Sequence, residues 1–156
     1  MGAVPLSDFA DRDTACIHAS CVAVNGKGLL IAGPSGSGKS SLALQLMAFG
    51  AQLVADDRVD LGVPDGLVTA SAPTSIHGLI EARGIGLLRA DAADSAPLAY
   101  VVDLEQTEEK RLPDLREIVL LRQTVPLLRA GGVPNLAAAL MQLAKLGRVD
   151  PQWPSK

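Results

Sequence analysis

Eight residues, Gly33-Pro34-Ser35-Gly36-Ser37-Gly38-Lys39-Ser40, limit the possible folds of this chain more than any other stretch. They fit the pattern Gly, four residues, Gly-Lys-Ser/Thr, whose backbone cradles the phosphates of a nucleoside triphosphate. Such a loop works only between a strand and a helix. Leu29-Leu30-Ile31-Ala32 ahead of it is an apolar run of strand length, and Ser41-Leu42-Ala43-Leu44-Gln45-Leu46-Met47 behind it reads as helix. Gly36 and Gly38 let the backbone aim several N–H groups at phosphate oxygens. The helix starting near Lys39 adds unbonded N–H groups and the positive end of its dipole. Lys39 supplies a flexible charge for the β- and γ-phosphates, and the Ser40 hydroxyl suits Mg²⁺.

A chain of 156 residues suggests one domain with a sizeable core. We expect a flexible leader over residues 1–13, a single catalytic domain over 14–148 and a tail over 149–156. The leader lacks the basic start and apolar stretch of a signal peptide. No apolar run approaches the length of a membrane span. Aromatics make up only 3% and the net charge is −3, so neither base stacking nor electrostatic nucleic-acid binding is indicated. Cys16 and Cys21 fall in an expected strand over residues 14–24, on opposite faces and roughly 16 Å apart at about 3.3 Å per residue. A disulfide between them would need that strand to be broken. We read both as small buried residues. Reduced thiols with a nucleotide site favour the cytoplasm.

Asn25-Gly26 is a hairpin signal, so the strand leading into the loop should pair antiparallel with the one before it. The first helix should run to about Phe49, with Gly50 as its cap. Gln52-Leu53-Val54-Ala55 is a short strand. Residues 59–63 and 67–72 flank the Pro64-Asp65-Gly66 turn and form a second hairpin. Residues 79–88 are extended, and 98–104 form a strand. Residues 105–116 are charged and should form a mobile surface segment. Residues 118–121 and 125–128 are short strands. Gly131-Gly132-Val133-Pro134 opens a last helix, with the proline in its first turn and Leu136, Leu140, Leu143 and Gly147 on its buried face.

A second constellation surrounds the loop. Asp56-Asp57 ends the strand after the first helix, which implies that this strand lies beside the loop strand. Adjacent carboxylates there call for a cation or basic group; one could hold Mg²⁺ and the other accept a proton. His18 falls on the strand neighbouring the loop strand, within reach of the γ-phosphate. Glu81 and Arg83 share one face of a strand, with glycines close behind that suit backbone near a ligand.

These residues resemble the catalytic domain of bacterial HPr kinase/phosphorylase. His18 precedes the loop as the family's histidine does. Leu53-Val54-Ala55-Asp56-Asp57 resembles its Leu-Val-Ala-Asp-Asp run. Ile80-Glu81-Ala82-Arg83-Gly84-Ile85-Gly86 resembles its Leu-Glu-Ile-Arg-Gly-Leu-Gly signature, and Arg111-Leu112 a later Arg-Leu. The resemblance implies an α/β P-loop kinase domain of the HPr kinase and phosphoenolpyruvate carboxykinase-like type, with a mixed sheet and few helices. It implies transfer of a phosphoryl group from ATP with Mg²⁺, or from pyrophosphate in some members, to a serine of HPr or an HPr-like carrier of the phosphotransferase system. Many members also run phosphorolysis, in which inorganic phosphate attacks the phosphoserine and pyrophosphate leaves.

The resemblance also implies roles. Lys39 and the loop amides hold phosphates, and Ser40 and Glu81 bind Mg²⁺. Asp57 takes the serine proton, Asp56 and His18 orient that site, and Arg111 stabilises the transferring group. The chain looks like a short form consisting of the catalytic domain only, and a homo-oligomer stays open. It carries Ser41 where the family usually has Glu, and a degraded Gly-Arg-Asn segment over residues 131–135. Two other readings stand beside this one: a small-molecule kinase of the same fold, and a non-catalytic ATP-binding regulator acting through residues 105–116.

Overall fold

In the computed structural model, which describes residues 5–153, Asn25 and Gly26 have φ of 52° and 77°. This left-handed pair closes a two-residue hairpin whose twist matches the flanking strands. It joins β2 (Ser20–Val24) to β3 (Lys27–Ala32), with Val24 opposite Lys27 and Ser20 opposite Ile31. Around them lie β1 (Ala15–Ile17), α1 (Lys39–Ala48), β4 (Gln52–Ala55), β5 (Val59–Gly62), β6 (Thr69–Ser71), β7 (Leu79–Ala82), β8 (Gly86–Arg89), β9 (Ser95–Asp103), β10 (Glu117–Leu120), β11 (Gln123–Arg129) and α2 (Leu136–Leu146). The fold is α/β, a mixed sheet with two α-helices among the described residues.

The sheet order is β1-β5-β6-β9-β3-β2-β4, with β11 also on β9 and β10 on β11. β9 serves two parts of this sheet. Its start pairs antiparallel with β6, and its end runs parallel to both β3 and β11. β7 and β8 form a separate hairpin. Residues 79–88 are therefore two strands, with Arg83 in the turn between them.

Side-chain alternation explains the layers. Val22, Val24, Leu29, Ile31 and Val102 face a cluster with Leu42 and Leu46 of α1 and Leu140 and Met141 of α2. Cys21, Ala23, Leu30, Ala32 and Val101 face the other way, against Val59, Leu61 and Ala70 from the curled strands and Leu120 and Val125. The central strands are thus buried on both faces, which is why they read as continuous apolar runs. A leucine as deep as Leu46 contributes roughly 2–5 kcal/mol against alanine. Among the described residues, no helix is long and apolar enough to cross a membrane.

Several expectations need correction. The strand over residues 14–24 is two strands, broken at His18-Ala19. Both cysteines are free, and Cys16 is exposed while Cys21 is buried, its thiol pushed up to about 12 by burial. β4 pairs with β2, not with the loop strand. Pro134 precedes the last helix instead of entering it, because Asn135 turns the chain at φ 53° first. The buried face of α2 is Ala137, Leu140, Met141 and Ala144, and Gly147 caps the helix.

Part of the expected leader is tied down. Leu6 and Phe9 pack on the core, and Phe9 and Ala10 carbonyls accept from the Leu121 and Arg122 N–H groups. The Arg122 side chain reaches back to Asp11 and Asp13. Residues 1–4 of the leader and 154–156 of the tail lie outside the described residues.

Residues 105–116 contain no helix or strand, yet they are anchored. The Glu108 side chain, 9% exposed, accepts from Arg129 at 3.1 Å and Arg116 at 3.3 Å. The Lys110 backbone N–H, helped by these guanidinium groups, holds the Glu108 carboxyl down at about 2. A carboxyl depressed from 4.5 in the unfolded chain contributes stability that is whole above pH 4.5 and is lost as pH falls towards 2. Glu108→Gln is expected to lower the urea midpoint at neutral pH and to flatten its decline across that acid window. Parallel wild-type and variant profiles would show that Glu108 is not the anchor.

Candidate active site

The sheet directions bring the site together. β3 and β4 run parallel on either side of the antiparallel β2, so their carboxyl ends and the start of β2 meet at one edge. The loop follows β3, Asp56-Asp57 follows β4, His18 lies in the break just ahead of β2, and Ser20 begins β2. A cleft of about 390 Å³ at this edge is lined by His18, Ser20, Lys39, Ser40, Asp57 and Glu81, with Gly36 and Gly38 of the loop beneath them. Arg83 also lines it.

The loop is shaped for an anion. Gly33 has φ 150°, and a Cβ on it would stand 2.6 Å from the Ser37 Oγ, so only glycine fits. Gly38 turns the chain into α1 at φ 96°, and no side chain caps the first N–H groups of the helix. Those donors are left for a ligand. Pro34 and Gly33 lend their carbonyls to the Lys39 ammonium, at 2.9 and 2.8 Å. Lys39 is only 8% exposed, and burial pulls its pKa below the ordinary lysine range. A buried cation whose direct partners are neutral carbonyls suits a polyanion.

Two carboxylates follow β4 with different surroundings. Asp56, 6% exposed, accepts on one oxygen from both Ser20 Oγ and Ser40 Oγ at 2.7 Å. Asp57 faces outward, its side chain 69% exposed, with one oxygen 2.8 Å from His18 Nε2. Its φ of 71° is a left-handed conformation uncommon outside glycine, and such positions concentrate at working sites. Ser40 and Glu81 line the cleft, and Asp56 accepts from Ser40; their hydroxyl and carboxylate oxygens are of the hard type that could hold Mg²⁺. Among the described residues, no three His, Cys, Asp or Glu side chains form a metal cage.

The structure thus gathers His18, the loop residues with Lys39 and Ser40, Asp56, Asp57 and Glu81 at one edge. It does not bring Arg111 there. Arg111 lines a separate cavity of about 660 Å³ between residues 108–116 and α2. Sequence reasoning passed over Ser20, the buried partner of Asp56. Its signal is spacing: it lies two residues after His18 and starts the hairpin that Asn25-Gly26 registers.

The family model described as HPr Serine kinase C-terminal domain matches residues 8–120. The chain is 44% identical over 72 residues to an HPr kinase/phosphorylase of Clostridium botulinum (strain Eklund 17B / Type B), covering 46% of this chain and 24% of that protein. It is 36% identical over 102 residues to the HPr kinase/phosphorylase of Clostridium acetobutylicum, covering 61% and 34%. The chain therefore spans about a quarter to a third of the length of these relatives. The solved structure of the Hpr(Ser) kinase/phosphatase from Coxiella burnetii superimposes with a TM-score of 0.72 at 26% identity, covering 83% of this chain and 87% of that one.

Proposed function

We propose, from the premise that this chain belongs to the HPr serine kinase C-terminal domain family, that it transfers the γ-phosphoryl group of ATP to a serine of an HPr-like phosphocarrier protein. The observation that carries this reading is Asp57: a carboxylate at the exposed mouth of a phosphate cradle, oriented by His18 at 2.8 Å. Its exposure suits an acceptor hydroxyl offered on a protein surface and argues against an enclosed small-molecule pocket. An oriented base has no use in a protein that merely binds ATP.

In this reading Lys39 and the loop N–H groups grip the β- and γ-phosphates and align the donor. Ser40 and Glu81, with Asp56 behind Ser40, would hold Mg²⁺. The ion supplies neutralisation of phosphate charge. Asp57 accepts the serine proton as the hydroxyl oxygen bonds to the γ-phosphorus and the bond to the β-phosphate oxygen breaks, leaving ADP. His18, donating from Nε2, keeps the reacting oxygen of Asp57 aimed outward. Run in reverse with inorganic phosphate as nucleophile, the same carboxylate returns the proton to the serine oxygen while pyrophosphate forms. Phosphorolysis therefore belongs to the proposal. So does a cytoplasmic setting, which the two free thiols suit.

The test is incubation of the purified chain with ATP, Mg²⁺ and an HPr-type carrier, followed by mass spectrometry. One added phosphate on a carrier serine is expected. Phosphorylation of sugars or organic acids with an unmodified carrier would favour a small-molecule kinase instead.

A further inference from the structure

The cavity of about 660 Å³ that Arg111 lines shares no residue with the catalytic cleft. One wall is α2, which presents Leu136, Ala139, Leu140 and Leu143 at helical spacing. Leu128 of β11 lines it as well. Ala139 is exposed and Leu136 and Leu143 are only half-buried, so this stripe keeps apolar surface in contact with water. The volume and the mostly apolar lining are those of a small-molecule site.

The charges of the cavity are lopsided. Five basic and three acidic side chains line it, in a chain whose net charge is −3. Glu108 is held by Arg116 and Arg129, and Asp114 by Lys110 at 2.8 Å. That leaves Glu109 against two cations. Arg111, from residues 108–116, and Arg148, just past α2, have no acidic partner among the described residues. Arg129 has donors to spare too. Its Nη2 serves both Glu108 oxygens at 3.1 Å, while its Nε is buried with no acceptor among the described residues. Buried donors nearly always find an acceptor in folded proteins, and an anion in the cavity would bring one to this guanidinium.

Apolar walls with surplus guanidinium charge suit one chemistry. A sugar phosphate would leave the leucines unused, and a neutral hydrocarbon would leave the arginines unused. We propose that this cavity binds a carboxylate with an apolar body, of the medium-chain fatty-acid class. Its chain lies along Leu136, Ala139 and Leu143, and its head meets Arg111, Arg148 and Arg129. From Leu136 to Leu143 the helix rises about 10 Å, which matches an extended eight-carbon chain.

Octanoate is therefore the probe, with 1-octanol as its neutral counterpart. On the full chain, an NMR titration with octanoate is expected to shift the methyl groups of Leu128, Leu136 and Leu143. Calorimetry should find one site, with octanol at least about tenfold weaker. ATP should leave bound octanoate in place. Ala139→Trp, at an exposed helix position, fills the cavity and should weaken octanoate by at least about tenfold. Arg111→Gln with Arg148→Gln leaves the walls intact and keeps the test independent of how the first variant folds. It should weaken octanoate about fivefold or more and octanol by less than about twofold. Absence of saturable octanoate binding, equal affinity for octanol, displacement by ATP, or unchanged octanoate affinity in the double arginine variant would overturn the proposal. So would shifts confined to Leu6, Ile17 and Ile118, which line the separate cleft beside His18. Contacts from the Trp153 ring to Leu143 in the ligand-free chain would make the tail the occupant instead. Concentration-dependent shifts of the same methyl groups would make it a second copy, and either result would also sink the carboxylate site.

Discussion

Asp57→Asn is expected to cut phosphoryl transfer to a carrier serine by about 10²–10⁴-fold, the range a positioned general base supplies. ATP affinity should stay close to that of the wild type. The substitution is clean for three reasons. The carboxamide oxygen can still accept from His18 Nε2, which now lies 2.8 Å away. Asparagine is among the few residues that tolerate a left-handed backbone such as φ 71°. The side chain is 69% exposed, so little packing is disturbed. What disappears is the capacity to take the serine proton. The readout is kcat against KM in single-carrier kinetics, with ATP binding measured alongside. Transfer within about tenfold of wild type would show that Asp57 is not the base.

Lys39→Met should act on the other half of the site and change stability as well as binding. The ammonium is buried, and burial lowers its pKa. A lysine whose pKa is lower in the folded state binds more protons when unfolded. Folding stability of the ligand-free chain therefore rises with pH between the folded value and the ordinary 10.5. Methionine keeps the apolar stem and removes the charge, so that rise should vanish and Tm at neutral pH should hold or increase. Triphosphate binding should fall by about 10–100-fold, as for a lost charged hydrogen bond, and transfer by about 10²–10³-fold or more. Thermal melts across pH with calorimetric titration of ATP check both signs. A variant that binds ATP as before, or that melts well below the wild type, would show that Lys39 is a structural residue.

Both substitutions fall on residues legible from the sequence, and the reason is local chemistry. Gly33 to Ser40 is a contiguous motif, and a two-residue turn such as Asn25-Gly26 fixes register without help from distant contacts. β4 and the β5–β6 hairpin were legible for the same reason, since each is bounded by its own turn residues. What stayed hidden depends on partners far along the chain. That β2 sits between β3 and β4 follows from sheet order, on which a short apolar run is silent. The break at His18-Ala19 exists because β1 leaves to pair with β5. Ser20 gains its meaning only when Asp56 arrives beside it.

The charged stretch over residues 105–116 shows the same limit. Composition alone marks it as solvated. One carboxylate, Glu108, reverses that because two arginines on β11 and just before β10 converge on it. Arg111 lines the same cavity against α2 as Glu108 and its two arginine partners. Sequence spacing could name Arg111 by resemblance, but only the packing around Glu108 decides where that segment lies.

The double duty of β9 sets an order of events during synthesis. β2 and β3 can close their hairpin as soon as residue 32 has left the ribosome, because Asn25-Gly26 joins them directly. The other edge of β3 waits for β9, whose Leu98 pairs with Gly28 some seventy residues later. Until then the strand bearing the glycine loop has an open, strongly apolar edge, a template for wrong pairing between nascent chains. The central part of the sheet is completed only when residues 123–129 add to the far side of β9. A ribosome stalled before residue 103 would thus present the loop strand with one edge bare, and that unfinished edge is where a holding chaperone would be expected to bind.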